Sequence, residues 1–249
     1  MQDIKVAAVN FCAQFGDIKE NLARTANWAD RLSKQDVEII CFPELSISGY
    51  SSNREVNQFA QPIPGLITNE LIKIAGEYDL SLLVGLPEKG KGGMLYISQV
   101  VINPEGLEGV YRKTILYPSE KGVFTKGNKV HIFKHQKITF GIQICYESRF
   151  SKVSDIQASK GAEIFFIPLA SLANETIAKK RKRFLNYLEP KAYNNSCYVV
   201  CCNLIDKSKE NVGVALIINP KGEVISEAVS KKEEAVIALL KGEARAHVL

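Results

Sequence analysis

The chain has 249 residues, 46% of them hydrophobic and 24% charged, with 32 Lys and Arg against 27 Asp and Glu for a formal charge of +5. That is the composition of a soluble globular chain, and it excludes fibrous, collagen-like, disordered and disulfide-scaffold classes. The basic excess is dispersed, so nucleic-acid binding is not indicated outside one tract, Lys179-Lys180-Arg181-Lys182-Arg183, and no apolar run approaches the ~18–20 residues of a membrane span.

Short apolar runs rich in β-branched residues alternate with helical stretches, the pattern of α/β layering. Ile4–Val9 reads as a strand, Ile18–Leu32 as an amphipathic helix, and Val37–Phe42 as a buried strand stopped by Pro43. A helix follows over Ile67–Tyr78, then a strand at Ser81–Leu86, then Leu95–Ile102 and Leu107–Arg112 as a hairpin across Asn103-Pro104-Glu105-Gly106. Val130–Phe133 and Ile138–Ile144 form a second hairpin ending at Cys145, followed by a helix at Val153–Lys160, a strand at Ile164–Ile167, and a long helix at Thr176–Asn194. The strand Tyr198–Asn203 precedes a last hairpin, Val212–Ile218 with Val224–Ala228, which turns at Asn219-Pro220-Lys221-Gly222, and a short apolar run at Ala235–Leu240. The N-P-x-G turn thus occurs twice, hinting at two similar halves. No Pro/Ser/Gly-rich linker divides the chain, so residues 1–249 read as one domain. About a dozen strands are many for one twisted sheet, and two packed sheets flanked by helices are the reasonable solution.

The six cysteines, Cys12, Cys41, Cys145, Cys197, Cys201 and Cys202, form no CxxC, and Met1–Asn10 holds no secretory apolar region. They are therefore expected as free thiols in a reducing, cytoplasmic compartment. His131, His135 and His247 are too few and too scattered to suggest a metal site, and His131 with His135 reads as a loop or surface pair. The basic tract lies in a helical stretch and reads as a solvated helix face, with an anion or RNA patch as the alternative.

Reactive groups in α/β sheets sit beyond the carboxyl ends of strands, and three such places stand out. Ile39-Ile40-Cys41-Phe42-Pro43-Glu44 puts a carboxylate directly after a buried strand; lost hydration there raises its pKa and suits it to proton transfer, a loop or helix cap being the equal alternative. Gly109-Val110-Tyr111-Arg112-Lys113 ends a strand in two cations, of which Lys113 is either an oxyanion stabiliser or simply solvated. Phe140-Gly141-Ile142-Gln143-Ile144-Cys145-Tyr146-Glu147 delivers a thiol to a sheet rim, whereas Cys41, Cys201 and Cys202 fall within or close to apolar strands and read as core. No GxSxG elbow and no glycine-rich phosphate loop is present, and scarce histidine shifts weight to carboxylate and amine partners for the thiol.

The segments Phe42-Pro43-Glu44-Leu45…Gly49-Tyr50, Tyr111-Arg112-Lys113 and Gly141-Ile142-Gln143-Ile144-Cys145-Tyr146-Glu147 resemble, in order and spacing, the Glu, Lys and Cys motifs of the nitrilase superfamily of carbon–nitrogen hydrolases. The resemblance spans nearly the whole chain. It implies a four-layer α-β-β-α sandwich, members that usually pair as dimers or assemble further, and no cofactor or metal. It also implies Cys145 as nucleophile, Glu44 as general base, and Lys113 with the backbone N–H of Tyr146 on the oxyanion. Glu120 resembles the second glutamate that positions substrate or Lys113, and Tyr50 a tyrosine lining the pocket of some family amidases.

The chain departs from the family pattern in three places. Glu147 and then Phe150-Ser151-Lys152 stand where many relatives have Asp and Phe-Pro-Glu; Lys191-Ala192-Tyr193-Asn194-Asn195 replaces Arg-Ala-x-Glu-Asn; and Lys126-Gly127 replaces Pro-Gly. These changes flank Glu44, Lys113 and Cys145 without touching them, which points to differences in scaffold or substrate. The resulting expectation is a hydrolase of a small amide or N-carbamoyl amine. A nitrile substrate fits less well, because true nitrilases typically carry Trp at the position of Tyr146. A non-catalytic scaffold and an RNA-associated protein are the competing classes.

Overall fold

In the computed structural model, which describes residues 1–242, strand β1 (Ile4–Cys12) alternates its side chains between two apolar layers. Ile4, Val6 and Ala8 point into one layer, and Ala7, Val9 and Phe11 into the other. The period of two in a strand buried on both faces is what lets one run of sequence serve both. Helix α1 (Ile18–Ser33) follows, capped by Asp17 Oδ1 accepting from Glu20 N at 3.0 Å. Then come β2 (Ile39–Cys41), α2 (Leu66–Tyr78), β3 (Ser81–Lys89), β4 (Leu95–Asn103) and β5 (Gly106–Arg112).

The second half contributes β6 (Ile132–His135), β7 (Ile138–Ile142), α3 (Ser151–Ser159), β8 (Ile164–Leu169), α4 (Ile177–Asn195), β9 (Tyr198–Ile205), β10 (Ala215–Ile218), β11 (Val224–Ala228) and β12 (Glu234–Leu240). Pairing runs β5-β4-β3-β2-β1, with β12 antiparallel on the far side of β1, and β6-β7-β8-β9-β10-β11. Among the described residues, the two sets pair only where Phe11 and Cys12 meet Leu204 and Ile205, so two sheets are joined at one corner.

Three apolar layers follow from this. Val6, Ile39, Phe140, Phe166 and Val200 fill the space between the sheets. Trp28, Leu32, Leu71 and Ala75 close the outer face of the first sheet, and Phe184, Leu188 and Ala192 that of the second. The architecture is the expected α-β-β-α sandwich. Each N-P-x-G turn closes the edge hairpin of one sheet by the same device: Asn103 Oδ1 accepts from the backbone of Glu105 and Gly106, and Asn219 Oδ1 from that of Lys221 and Glu223.

Some boundaries differ from the sequence reading. The β2 ladder is shorter than Val37–Phe42 because the chain turns sharply at Pro43, and β10 begins at Ala215 rather than Val212. Strand β7 ends at Ile142, two residues before the expected end: Gln143 N still donates to Phe166 O at 3.0 Å, and Cys145 then takes a left-handed φ of 50° that breaks the ladder. Among the described residues, no helix is long and apolar enough to cross a membrane, and no three His, Cys, Asp or Glu side chains cluster as metal ligands.

Candidate active site

Glu44 lies just past the carboxyl end of β2, on a tight turn in which Leu45 has a φ of 50°. The turn crosses β3 so closely that a Cβ at Gly85 would come within 2.4 Å of Pro43 O and Leu45 N, so the site requires glycine there. Lys113 follows β5. Its N–H donates to Ile97 O at 2.9 Å and its carbonyl accepts from Gly127 N at 2.6 Å, another close approach in which a Cβ would meet Arg112 O at 2.3 Å. The neighbouring Arg112 turns away from the site and is bound bidentately by Glu88. Of the two cations ending β5, only Lys113 faces the thiol.

The groups that the sequence separates converge here. Lys113 Nζ donates to Glu44 Oε1 at 2.6 Å and to Glu120 Oε1 at 2.7 Å, and all three residues are at most 1% exposed. Tyr50 OH donates to the same Glu120 oxygen at 3.0 Å, while Glu120 Oε2 accepts from Tyr117 N at 2.7 Å. Glu44 Oε2 is buried, and among the described residues its neighbour for proton exchange is the Cys145 thiol. Burial raises the Glu44 carboxyl to about 7, against the pull of Lys113 and with Glu120 adding to the rise. Burial opposes the charge on Lys113, but Glu44, Cys145 and Glu120 outweigh it and hold the ammonium protonated.

Cys145 is half-buried and starts a 3₁₀ turn, Cys145–Arg149. Its φ of 50° is unusual for a residue with a Cβ, and such strain persists only where the surroundings fix it. Burial and the nearby Glu44 charge push the thiol up to about 12, while Lys113 and a backbone hydrogen bond from Ala170 lower it. Glu147 does much of the fixing. Its Oε2 accepts from Ile144 N at 2.7 Å, and its Oε1 from Thr114 N at 2.6 Å and Tyr111 OH at 3.2 Å. One buried carboxylate therefore ties the residue before Cys145 to the residue after Lys113.

A cavity of about 350 Å³ opens above Cys145. Its lining includes Tyr50, Glu120, Tyr146, Arg149, Ser171, Arg183, Tyr187 and Lys209. Tyr146 is half-buried and held edge-on between Tyr117 and Phe150, with ring centroids 5.1 and 5.2 Å away.

Two expectations are corrected. The basic tract is not a uniformly solvated face: Lys180 is fully buried and Arg183 turns into the cavity wall. The available signal was spacing, since Lys180 precedes the core residues Phe184 and Leu188 by one and two helical repeats of four. His135 is not part of a surface pair: it is 8% exposed, with Nδ1 2.7 Å from Glu108 and Nε2 3.1 Å from Ser81. Lys191 is buried against Ser154. Cys41, Cys201 and Cys202 are core as expected, Cys12 and Cys197 are also buried, and His247 lies outside the described residues.

The sandwich fold and the convergence of a thiol, an ammonium and two carboxylates are what the resemblance to carbon–nitrogen hydrolases implies. A model of the carbon-nitrogen hydrolase family matches residues 5–246, and the chain belongs to that family, within the nitrilase superfamily. It is 26% identical over 239 residues to an (R)-stereoselective amidase of a Pseudomonas species, covering 95% of this chain and 85% of that one. It is 30% identical over 241 residues to a nitrilase of Pyrococcus abyssi, covering 94% and 88%. The crystal structure of Saccharomyces cerevisiae Nit3, a member of branch 10 of the nitrilase superfamily, superposes with a TM-score of 0.85 at 26% identity, covering 97% of this chain and 91% of that one.

Proposed function

We propose that the chain hydrolyses a small amide or N-carbamoyl amine through a thioester on Cys145. The observation that carries this is the Glu44 carboxylate: one oxygen is anchored 2.6 Å from Lys113 Nζ, and the other is buried with the Cys145 thiol as its neighbour. Glu44 takes the thiol proton as Sγ attacks the carbonyl carbon. The resulting oxyanion is met by the Lys113 ammonium and by the Tyr146 backbone N–H. Glu44 returns the proton to the leaving nitrogen, and ammonia or amine departs. Water then gives its proton to Glu44 and attacks the thioester, releasing the acid and restoring the thiol.

Lys113 keeps its proton throughout, held between Glu44 and Glu120, and Tyr50 steadies Glu120 through its hydroxyl. The cations Arg149, Arg183 and Lys209 in the cavity lining favour a substrate bearing a carboxylate in addition to the amide. Ammonia release from a panel of amides, N-carbamoyl compounds and nitriles, with Cys145→Ala as control, tests the reading. Turnover of amides that is lost in the variant supports it. No release from any compound favours the scaffold class, and turnover of nitriles alone makes the chain a nitrilase.

A further inference from the structure

Lys180 sits in the first turn of α4 with no exposed surface. Among the described residues no carboxylate lies within ion-pair distance of it, and its Nζ donates to one group, the Ser171 backbone carbonyl, at 2.6 Å. An unpaired buried cation is a costly way to fill a helix–sheet interface that a leucine or methionine would fill without penalty. What it holds is therefore informative. Ser171 is fixed from several directions: Asn203 and Asn211 side-chain amides donate to its carbonyl at 3.2 and 3.3 Å, its N–H donates to Asn203 Oδ1 at 2.8 Å, and Arg183 donates to its hydroxyl at 3.0 Å. The residue before it, Ala170, lines the same cavity as Cys145, and its backbone lowers the thiol's pKa.

We propose that Lys180 is a positioning residue for Cys145: its ammonium, seated on the Ser171 carbonyl, holds the Ala170 backbone in place and biases the thiol toward the thiolate. Lys180 acts on the nucleophile through the segment that follows β8, whereas Lys113 follows β5. The charged and titratable groups facing it are Glu175, Cys145 and Cys201, which favour its protonation, and Arg183, which disfavours it; burial dominates and lowers it to about 8. Glu175 is itself bound to Arg183, so it contributes as a field more than as a partner.

This inference rests on Cys145 being the nucleophile, so the first measurement is the rate of iodoacetamide labelling of Cys145 in the native chain. Labelling no faster than at the other cysteines overturns the catalytic reading and this inference with it. Given fast labelling, Lys180→Met and Lys180→Arg are compared across neutral and alkaline pH. The expected result for Lys180→Met is labelling about tenfold slower at neutral pH with its rise displaced about one unit upward, and kcat lowered about tenfold at nearly constant KM. Lys180→Arg keeps a cation on the Ser171 carbonyl and recovers most of both.

A folded Lys180→Met with the native labelling profile overturns the inference and leaves the hydrolase reading standing. So does a Lys180→Arg as impaired as Lys180→Met, because packing alone would then explain the loss. If Lys180→Met does not fold, lysine side-chain NMR of the native chain replaces it. Alkylating Cys145 is expected to shift the Lys180 Nζ resonance and its titration midpoint, and an unmoved resonance overturns the coupling.

Discussion

The wall of the cavity contributed by the first sheet and the wall contributed by the second differ in how their charges are held. On the first, Tyr50 and Glu120 face the cavity and are bound, with Lys113 and Glu44 behind them, through contacts of 2.6 to 3.0 Å, and the ion-paired three are sealed from solvent. On the second, Arg149 is exposed and stacks over Tyr187 with its carbon 5.5 Å from the ring, and Lys209 stands 3.6 Å from Asp206 with about half its side chain exposed. Arg183, tied to Glu175 and Ser171, is intermediate. Low dielectric and fixed geometry strengthen every interaction on the first wall, which suits moving protons. The looser second wall keeps cations available to something that comes from solution. The difference predicts that substitutions on the first wall act on kcat and those on the second on KM.

The largest effects belong to Cys145 and Glu44. Cys145→Ala and Glu44→Gln are each expected to lower kcat/KM by at least ~10³-fold, because each removes a partner that the acyl-transfer step cannot replace. Glu44 accepts a proton only when ionised. With its carboxyl raised to about 7, kcat/KM should fall about tenfold per pH unit below that value and level off above it. A flat profile down to the ordinary carboxylate range would show that a different group sets the proton transfer.

Lys113→Met comes next. Loss of the oxyanion partner is expected to cost about 10²–10³ in kcat. Two buried carboxylates also lose their shared cation, so stability should fall by about 3–5 kcal/mol in a denaturant titration. Since Lys113 lowers the Glu44 pKa, its removal should move the acid limb of any residual activity upward. An acid limb that stays in place would break the assignment of that limb to Glu44.

How much of this was legible from the sequence follows the same division. Glu44, Lys113 and Cys145 each end an apolar run, and such a break is visible along the chain without knowing what lies across from it. Glu120 lies in a 3₁₀ turn, Pro118–Glu120, seven residues past Lys113, and neither periodicity nor spacing marks it. Only the family resemblance pointed there. Arg149, Ser171, Arg183 and Lys209 come from loops and a helix of the second sheet, and which of them share a cavity depends on how α4 and the β9–β10 connection pack. The inward turn of Lys180 was readable from its register with Phe184 and Leu188, but a run of five adjacent basic residues reads first as a surface. The paired turns at Asn103 and Asn219 each close a hairpin at a sheet edge, yet Lys113 follows only the first of these hairpins.

Glu147 joins the two walls and gives the next effect in size. Its carboxylate accepts backbone N–H bonds from both Thr114 and Ile144. Glu147→Gln must present an amide N–H₂ to one of those two donors. The expected result is a loss of about 1–3 kcal/mol in stability with kcat lowered about tenfold through misplacement of Lys113 against Cys145. Native kcat with reduced stability would show that the tie is only structural.

The smallest and most selective effects belong to the second wall. Arg149 has no carboxylate partner among the described residues, whereas Arg183 already has Glu175, so the two should respond differently. If Arg149 meets an acidic group on the substrate, Arg149→Met should raise KM for amides carrying a carboxylate by about tenfold, roughly one charge-assisted hydrogen bond at a solvent-exposed site. The same variant should leave kcat within about threefold, and uncharged amides of equal length nearly unaffected. Arg183→Met should show a smaller KM effect together with reduced stability, because it also leaves the buried Glu175 unpaired and the Ser171 hydroxyl without its donor. Equal losses for charged and uncharged amides in Arg149→Met would mean that the cation supports the wall through its stacking on Tyr187. The second wall would then be scaffold like the first, and the division between them would fail.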